Sequence, residues 1–381
     1  MLVPTPAAAV EASTVVELEF PAGIAFDSSG TMYVSERAGR IRVVKNGRLR
    51  SGPLATIPTT TTGESGLLGL AVAPDDSAVY AFATAPDGVT NLVYRVPLPR
   101  GRPEVVVDGL PASGYHNGGG VAFAPDGSLL VTNGEQHDSE RAQEPGELGG
   151  KVYRYTPNGE VPSDNPFGDS PSLAIGLRNP FGIAVDPVSG NPFVTENGPS
   201  SHDEVNRIVA GGNYGWPLVS GPGEAPDGID GTYHDPVLDY PEIIVPTGIA
   251  FAPPGETRPA YGGDLFFGTF GTGSIHRVRL DRSRINALSD DIFLDVGEPV
   301  IAMAWGPRGL YFSTPGAVRV VPIAAPTSPS PTPPETPPPP PTTASPSPTP
   351  ARDEGPSGPG ALLVVLLLAG LAAVTVSRLR R

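Results

Sequence analysis

The sequence predicts an all-β fold, a six-bladed β-propeller, and three observations lead to it. Six segments share one pattern: a Gly or Ala, an apolar residue, Ala, then an apolar residue. They are Gly23-Ile24-Ala25-Phe26, Gly69-Leu70-Ala71-Val72, Gly120-Val121-Ala122-Phe123, Gly182-Ile183-Ala184-Val185, Gly248-Ile249-Ala250-Phe251 and Ala302-Met303-Ala304-Trp305. In five of the six a proline follows two residues later (Pro74, Pro125, Pro187, Pro253 and Pro307), opening a turn such as Asp126-Gly127 or Ser189-Gly190. A second β-type run then returns, as in Met32-Tyr33-Val34, Leu129-Leu130-Val131 and Leu310-Tyr311-Phe312. Strand, turn and strand at intervals of about 45 to 65 residues is the period of propeller blades. No sustained helical period competes with it. Gly and Ala in the first strand suit the crowded region near the axis, where only small residues let blades approach.

The ends of the chain differ in kind. From Pro326 to Pro350 about half the residues are proline and most others are Ser or Thr, a composition that cannot bury enough apolar surface to offset its ordering entropy. Gly360 to Ser377 is apolar throughout and is followed by Arg378-Leu379-Arg380-Arg381. A run of roughly 18 uncharged residues is just long enough to cross a bilayer, with the terminal arginines on the cytoplasmic side. The expected organisation is therefore an N-terminal segment 1–14, a propeller at 15–324, a Pro/Ser/Thr-rich linker at 325–359, a transmembrane helix at 360–377 and a basic cytoplasmic tail at 378–381. This places the propeller outside the cytoplasm on a stalk, and the membrane is met through that helix alone. Met1 to Thr14 shows neither a basic n-region nor a convincing apolar h-region of a leader.

Composition excludes several function classes. With 25 Lys plus Arg against 40 Asp plus Glu, the net charge is −15, the wrong sign for neutralising nucleic-acid phosphates. The chain has no cysteine, which removes disulfides, thiolate metal sites and a Cys nucleophile.

In a propeller the residues just before each innermost strand gather at one end of the axis, however far apart in sequence. Here those positions hold Glu64, His116, Arg178 with Asn179, and Thr247. His116, in Tyr115-His116-Asn117-Gly118-Gly119-Gly120, is left uncrowded by the glycines, and an imidazole is the side chain suited to accept a proton from a hydroxyl at working pH; a loop histidine without a task is the plainer alternative. Arg178 offers a fixed positive charge for a carboxylate or a developing oxyanion, or else a salt bridge to a neighbouring acid. The segment Glu196 to Asn206 is dense in oxygen donors of the kind calcium takes, although its spacing is not that of an EF-hand.

These motifs resemble the soluble-type quinoprotein glucose and aldose sugar dehydrogenases, the glucose/sorbosone dehydrogenase family. The resemblance is carried by Gly63-Glu64-Ser65-Gly66-Leu67-Leu68-Gly69, His116 with Gly118-Gly119, Gly150-Lys151-Val152-Tyr153-Arg154, Pro162-Ser163-Asp164-Asn165-Pro166-Phe167, Arg178-Asn179-Pro180 and Glu196 through Pro217, and it spans nearly all of 15–315. It implies a six-bladed propeller, pyrroloquinoline quinone (PQQ) and calcium as cofactors, and oxidation of an aldose at C1 to a lactone, with an external or membrane electron acceptor. Position by position it implies His116 as the base, Arg178 beside the quinone oxygens, and Asn179 and Thr247 as cofactor contacts. It further implies the carbonyls of Gly198 and Pro199 on the cofactor-bound calcium, Glu204 and Tyr214 at a neighbouring structural calcium, and Glu64 as a sugar contact.

The sequence departs from the family where PQQ carboxylates meet cations. The expected Lys falls in Gly268-Thr269-Phe270-Gly271-Thr272-Gly273-Ser274 and the expected Arg-x-Arg in Glu298-Pro299-Val300-Ile301-Ala302, neither of which supplies the cation. Asn197 stands where the family usually has His. The second reading is therefore a non-catalytic, calcium-stabilised propeller that binds a sugar or a protein. A lactonase-type hydrolase ranks last, because Glu64 is the only carboxylate among the axial positions named above.

Overall fold

The computed structural model describes residues 10–254 and 261–323. The chain divides after Ser328, and the second unit, Pro329–Arg381, lies outside the described residues together with the expected linker, helix and tail. Among the described residues no helix is long and apolar enough to cross a membrane.

The described strands are almost wholly antiparallel and form six sheets, an all-β propeller. Each repeat supplies an innermost strand: Pro21–Phe26, Leu67–Val72, Val121–Phe123, Pro180–Val185, Pro246–Phe251 and Met303–Gly306. We number the sheets by these strands. The second strand of each is the run after the turn: Met32–Glu36, Ala78–Thr84, Leu129–Asn133, Pro192–Glu196, Leu265–Thr269 and Gly309–Thr314. In the sixth sheet the outer strand comes from the opposite end of the chain, with Ser13–Glu17 pairing antiparallel to Ala317–Pro322. The sheet region thus begins at Ser13 rather than Val15, because this pairing recruits two more residues.

The small residues of the repeat do what the pattern implies. A Cβ on Gly69 would lie 2.3 Å from Gly119 O, just before the next innermost strand, and one on Gly182 would lie 2.3 Å from Thr247 O, on the next innermost strand. A second regularity goes unremarked in the sequence reading. A buried hydroxyl recurs near the end of each second strand, at Ser35, Thr84, Thr132, Thr195, Thr269 and Ser313. Three of these donate to a carbonyl of the neighbouring innermost strand: Ser35 to Leu68 O at 2.5 Å, Thr195 to Thr247 O at 2.6 Å and Ser313 to Pro21 O at 2.8 Å. The last joins the sixth sheet to the first.

The apolar core sits between neighbouring sheets. One layer packs Ile41 and Val43 of the first sheet against Leu67, Val79 and Ala81 of the second; another packs Val34 and Met32 against Val318 and Val320 of the sixth. Such face-to-face burial follows from the period-2 alternation of the strands. At the rim, Arg284 grips Asp186 through Nε–Oδ2 at 2.8 Å and Nη2–Oδ1 at 3.0 Å, both groups buried, clasping the fourth sheet to the fifth.

Candidate active site

The innermost strands leave a narrow axial space, and at one end it widens into a cavity of about 480 Å³. Glu64, His116, Arg178, Asn179 and Thr247, drawn from the approaches to four different innermost strands, all line this cavity. The topology therefore brings together the set read from the repeat.

His116 is buried (6 % exposed) and its backbone is left-handed, φ 55°. That conformation lets its N–H reach Glu64 Oε2 at 2.8 Å. The turn is packed against Gly134, where a Cβ would lie 2.2 Å from His116 O. The imidazole Nδ1 meets Glu135 Oε1 at 2.5 Å, and Glu135 is itself only 2 % exposed. A carboxylate there accepts the Nδ1 proton, holds one tautomer and leaves Nε2 with a free lone pair. Sequence reasoning missed Glu135, because it follows the second strand of the third sheet rather than preceding an innermost one.

Arg178 donates through Nη1 to Asn197 O at 2.8 Å and Gly198 O at 3.0 Å, and lies over the Trp216 ring at 5.6 Å. The Gly198 carbonyl, expected on a calcium, is thus turned toward a guanidinium. Pro199, whose carbonyl was expected on the same ion, is exposed and lines neither this cavity nor the small one beside Glu204. The chain doubles back after Gly198, whose Cβ position would lie 2.1 Å from Ser201 O, and this leaves Pro199 on the outside of the bend. Asn179 accepts the Gly118 N–H on Oδ1 at 3.1 Å, bracing the His116 loop. The Thr247 hydroxyl donates to Val300 O at 2.7 Å, so its place in the wall is structural as well.

A second cation faces the cavity that the sequence reading did not consider. Arg37 donates from Nε to Ser65 O at 2.8 Å and from Nη2 to Thr61 O at 2.8 Å, and lies over the Phe20 ring at 5.2 Å. Burial pulls its pKa down while the Glu64 charge holds it up. Of the carboxylates in the wall, Asp203 already accepts three backbone N–H groups, those of Gly198, Ile244 and Val245, at 2.7 to 2.8 Å. Glu298, which in sequence stands where cations are expected, is paired with Arg319 and does not line the cavity. Two guanidiniums and apolar walls from Phe20, Leu68, Phe270 and Ile301 fit a flat anionic ligand.

Beside this cavity is a water-sized one of about 10 Å³, lined by Gly198, Glu204 and Tyr214 and by Glu196, the first residue of the oxygen-rich segment. Glu196 takes the N–H groups of Arg178 and Asn179 on Oε1, while its buried Oε2 has no partner. Burial, with Glu204 adding repulsion, pushes its carboxyl well above the usual range; burial, with Asp239 adding to it, also raises Glu204. Two desolvated carboxyls, one with an unmatched oxygen, fit a hard cation of the calcium type. Tyr214 enters this set differently from expectation: its hydroxyl donates to Arg207 O at 2.6 Å and accepts from Val209 N–H at 3.0 Å, so the phenol is already committed to backbone.

Comparison with known proteins agrees with this geometry. The family model described as glucose / sorbosone dehydrogenase matches residues 18–317. Aldose sugar dehydrogenase YliI of Escherichia coli is 30 % identical over 231 residues, covering 54 % of this chain and 60 % of that protein. Quinoprotein glucose dehydrogenase B of Acinetobacter calcoaceticus is 29 % identical over 249 residues, 54 % of this chain and 51 % of that protein. This chain thus spans only half to three-fifths of the length of those two relatives. Among solved structures, the PQQ-bound aldose sugar dehydrogenase of Streptomyces coelicolor superposes with TM-score 0.71 at 31 % identity, covering 82 % of this chain and 98 % of its own. With most of its length, including every residue that lines the cavity, inside the matched region, the chain belongs to the glucose/sorbosone dehydrogenase family.

Proposed function

We propose that the six sheets are the six blades of a sugar-oxidising propeller, acting on C1 of an aldose to give a lactone. The observation that carries this reading is His116 in the cavity wall with the buried Glu135 carboxylate behind it on Nδ1. His116 takes the proton of the anomeric hydroxyl at Nε2, and Glu135 offsets the positive charge that forms on the ring. Glu64, already accepting the His116 N–H on Oε2, presents its other oxygen to a sugar hydroxyl. Arg178 and Arg37 hold an anionic partner against the apolar wall, and Asn179 keeps the His116 loop in register.

PQQ, when bound, supplies the two-electron acceptor that receives hydride from C1 and later passes the electrons to an external or membrane acceptor. Arg178 and Arg37 are the residues that would hold it, with Thr247 and Phe270 in the wall around it. Calcium would be held by Glu196 and Glu204 with carbonyls of the adjoining segment. The cellular setting belongs to the same proposal: a propeller outside the cytoplasm, tethered through the apolar run at 360–377.

The test is titration of the purified chain with PQQ in calcium, followed by absorbance and by aldose-dependent dye reduction. Saturable binding, with turnover lost in His116→Ala, supports the proposal. The second reading, a propeller that binds a ligand without redox chemistry, is favoured by the segments where the family's cations are expected, 268–274 and 298–302, which hold no Lys or Arg; within them Thr269 is tied to Ser274 and Thr272, and Val300 is buried. A calcium-dependent rise in melting temperature with no PQQ binding would select it.

A further inference from the structure

His116 and Glu135 have a third companion that the reaction does not use. His137 follows two residues after Glu135, and its ring lies 4.0 Å from that of His116, centroid to centroid, at 44°. One candidate donor atom from each of His116, Glu135 and His137 falls within 4.8 Å of the others. Two imidazoles and a carboxylate are a donor set for d-block divalent ions, and oxygen-seeking calcium disfavours it. Among the described residues this is the one group of three or more such side chains close enough to share an ion.

Two further observations point the same way. Glu135 Oε2 is buried without a hydrogen-bond partner, although Oε1 is bonded. His137 is exposed, so an ion can arrive from solvent and the ring can swing to meet it. The backbone is left-handed at His116 (φ 55°), Gln136 (φ 53°) and His137 (φ 65°), a conformation that costs non-glycine residues free energy and holds the two rings over each other. Gln136 fastens the two turns by donating to His116 O at 2.9 Å.

We propose that His116, Glu135 and His137 form a site for a divalent transition-metal ion of the zinc class, and that its occupancy switches off His116 as a base. In the metal-free protein the single proton of the neutral ring sits on Nδ1, facing Glu135, and Nε2 is free to accept. An ion bound at Nδ1 displaces that proton, and the neutral ring then carries its proton on Nε2. The nitrogen facing the cavity becomes a donor and can no longer accept from a hydroxyl. Ligand distances of about 2.0 to 2.2 Å in a tetrahedral set place donors about 3.3 to 3.6 Å apart, so the Nδ1–Oε1 contact of 2.5 Å must open by about 1 Å, through rotation of the Glu135 carboxylate. Three protein ligands leave a fourth position for water.

The metal site stands on geometry alone, whereas the switching half rests on the proposed base. The test uses the full, untagged chain in excess calcium. Zn²⁺ is titrated by calorimetry and Co²⁺ by its visible absorption, for the wild type and for His137→Ala. The change is at an exposed side chain, and an unaltered melting curve checks the fold. The expected result is one equivalent bound by the wild type, insensitive to calcium, with affinity lowered at least ~10-fold in the variant. Dye reduction, each protein referred to its own metal-free rate, should be inhibited by Zn²⁺ in the wild type and resist it in the variant. Equal affinity in both proteins, or no one-equivalent binding in the wild type, overturns the site. Binding through His137 with turnover unaffected overturns the switch. Binding through His137 in a chain that oxidises no sugar upholds the metal site and removes the oxidation reading instead.

Discussion

Glu135→Gln separates chemistry from architecture at the centre of the cavity. The substitution keeps volume and leaves an amide oxygen to accept the Nδ1 proton, so the His116 ring retains its place. It removes the negative charge, 2.5 Å from Nδ1, that offsets the imidazolium formed when His116 takes a proton. Both residues are buried, so water screens little of the loss. A hydrogen bond to a charged group contributes about 1.5–3 kcal/mol. At about 1.36 kcal/mol per decade of rate, kcat should fall between about 10-fold and 150-fold. Glu135 does not line the cavity, so KM should move little. The assay is dye reduction by the PQQ- and calcium-loaded chain at saturating aldose, with kcat and KM measured separately. The melting temperature serves as the structural control, and because Glu135 Oε2 is buried without a partner, the neutral variant should be no less stable. A kcat within threefold of wild type, or a rise in KM alone, would refute the reasoning and remove His116 from the role of base.

Other outcomes follow from the same structure. Arg37→Ala should weaken PQQ binding by at least ~10-fold in an absorbance titration, since a charge-assisted contact is lost, and should also lower the melting temperature, because the Thr61 and Ser65 carbonyls lose their donor. Glu196 and Glu204 have folded-state pKa values raised above those of the unfolded chain, so between the ordinary carboxylate range and the raised values the folded protein holds more protons. Without calcium, their contribution to stability therefore falls as pH rises through that window; chelation should lower the melting temperature more at pH 8 than at pH 5, and Glu204→Gln should shrink the difference. Asp186→Asn breaks the buried pair with Arg284 and should cost about 3–5 kcal/mol, measured by denaturant unfolding, with the loss smaller in a double variant that also replaces Arg284 by Met.

The propeller was legible because its constraint is steric and repeats. An axis that admits only glycine and alanine writes the same four-residue signature six times, and turn residues mark what comes next. The cavity residues were legible for a topological reason, since anything just before an innermost strand must converge. Glu135 and Arg37 were not, because they sit just beyond the ends of second strands, and their convergence depends on strand register and on where the following loop turns; Glu196 stood in the oxygen-rich segment, but its own place, at the end of a second strand, was hidden for the same reason. Nor does a sequence show what a hydroxyl faces: Thr247 lines the larger cavity and Tyr214 the smaller, yet their hydroxyls meet carbonyls. The cations were sought at the family's positions, and Arg37 reaches the wall from the first sheet instead.

The pairing of Ser13–Glu17 with Ala317–Pro322 has a consequence for the order of assembly. Ser13 faces Val320, so residues 307 positions apart in the chain become neighbours. During synthesis the first five sheets can form in turn, but the sixth waits for strands separated by nearly the whole domain, and the ring cannot shut until translation has passed residue 322. The same antiparallel register leaves the start of one strand beside the end of the other. A short peptide could therefore join them and new ends be opened elsewhere, for instance in the turn at 99–103, giving a circularly permuted chain with the cavity intact. Such a permutant would fold its sixth sheet from contiguous sequence and carry the end-to-end pairing in the second sheet instead, between Thr90–Pro97 and Glu104–Pro111, so its refolding rate against that of the parent would report whether the place of the closing seam sets the folding time.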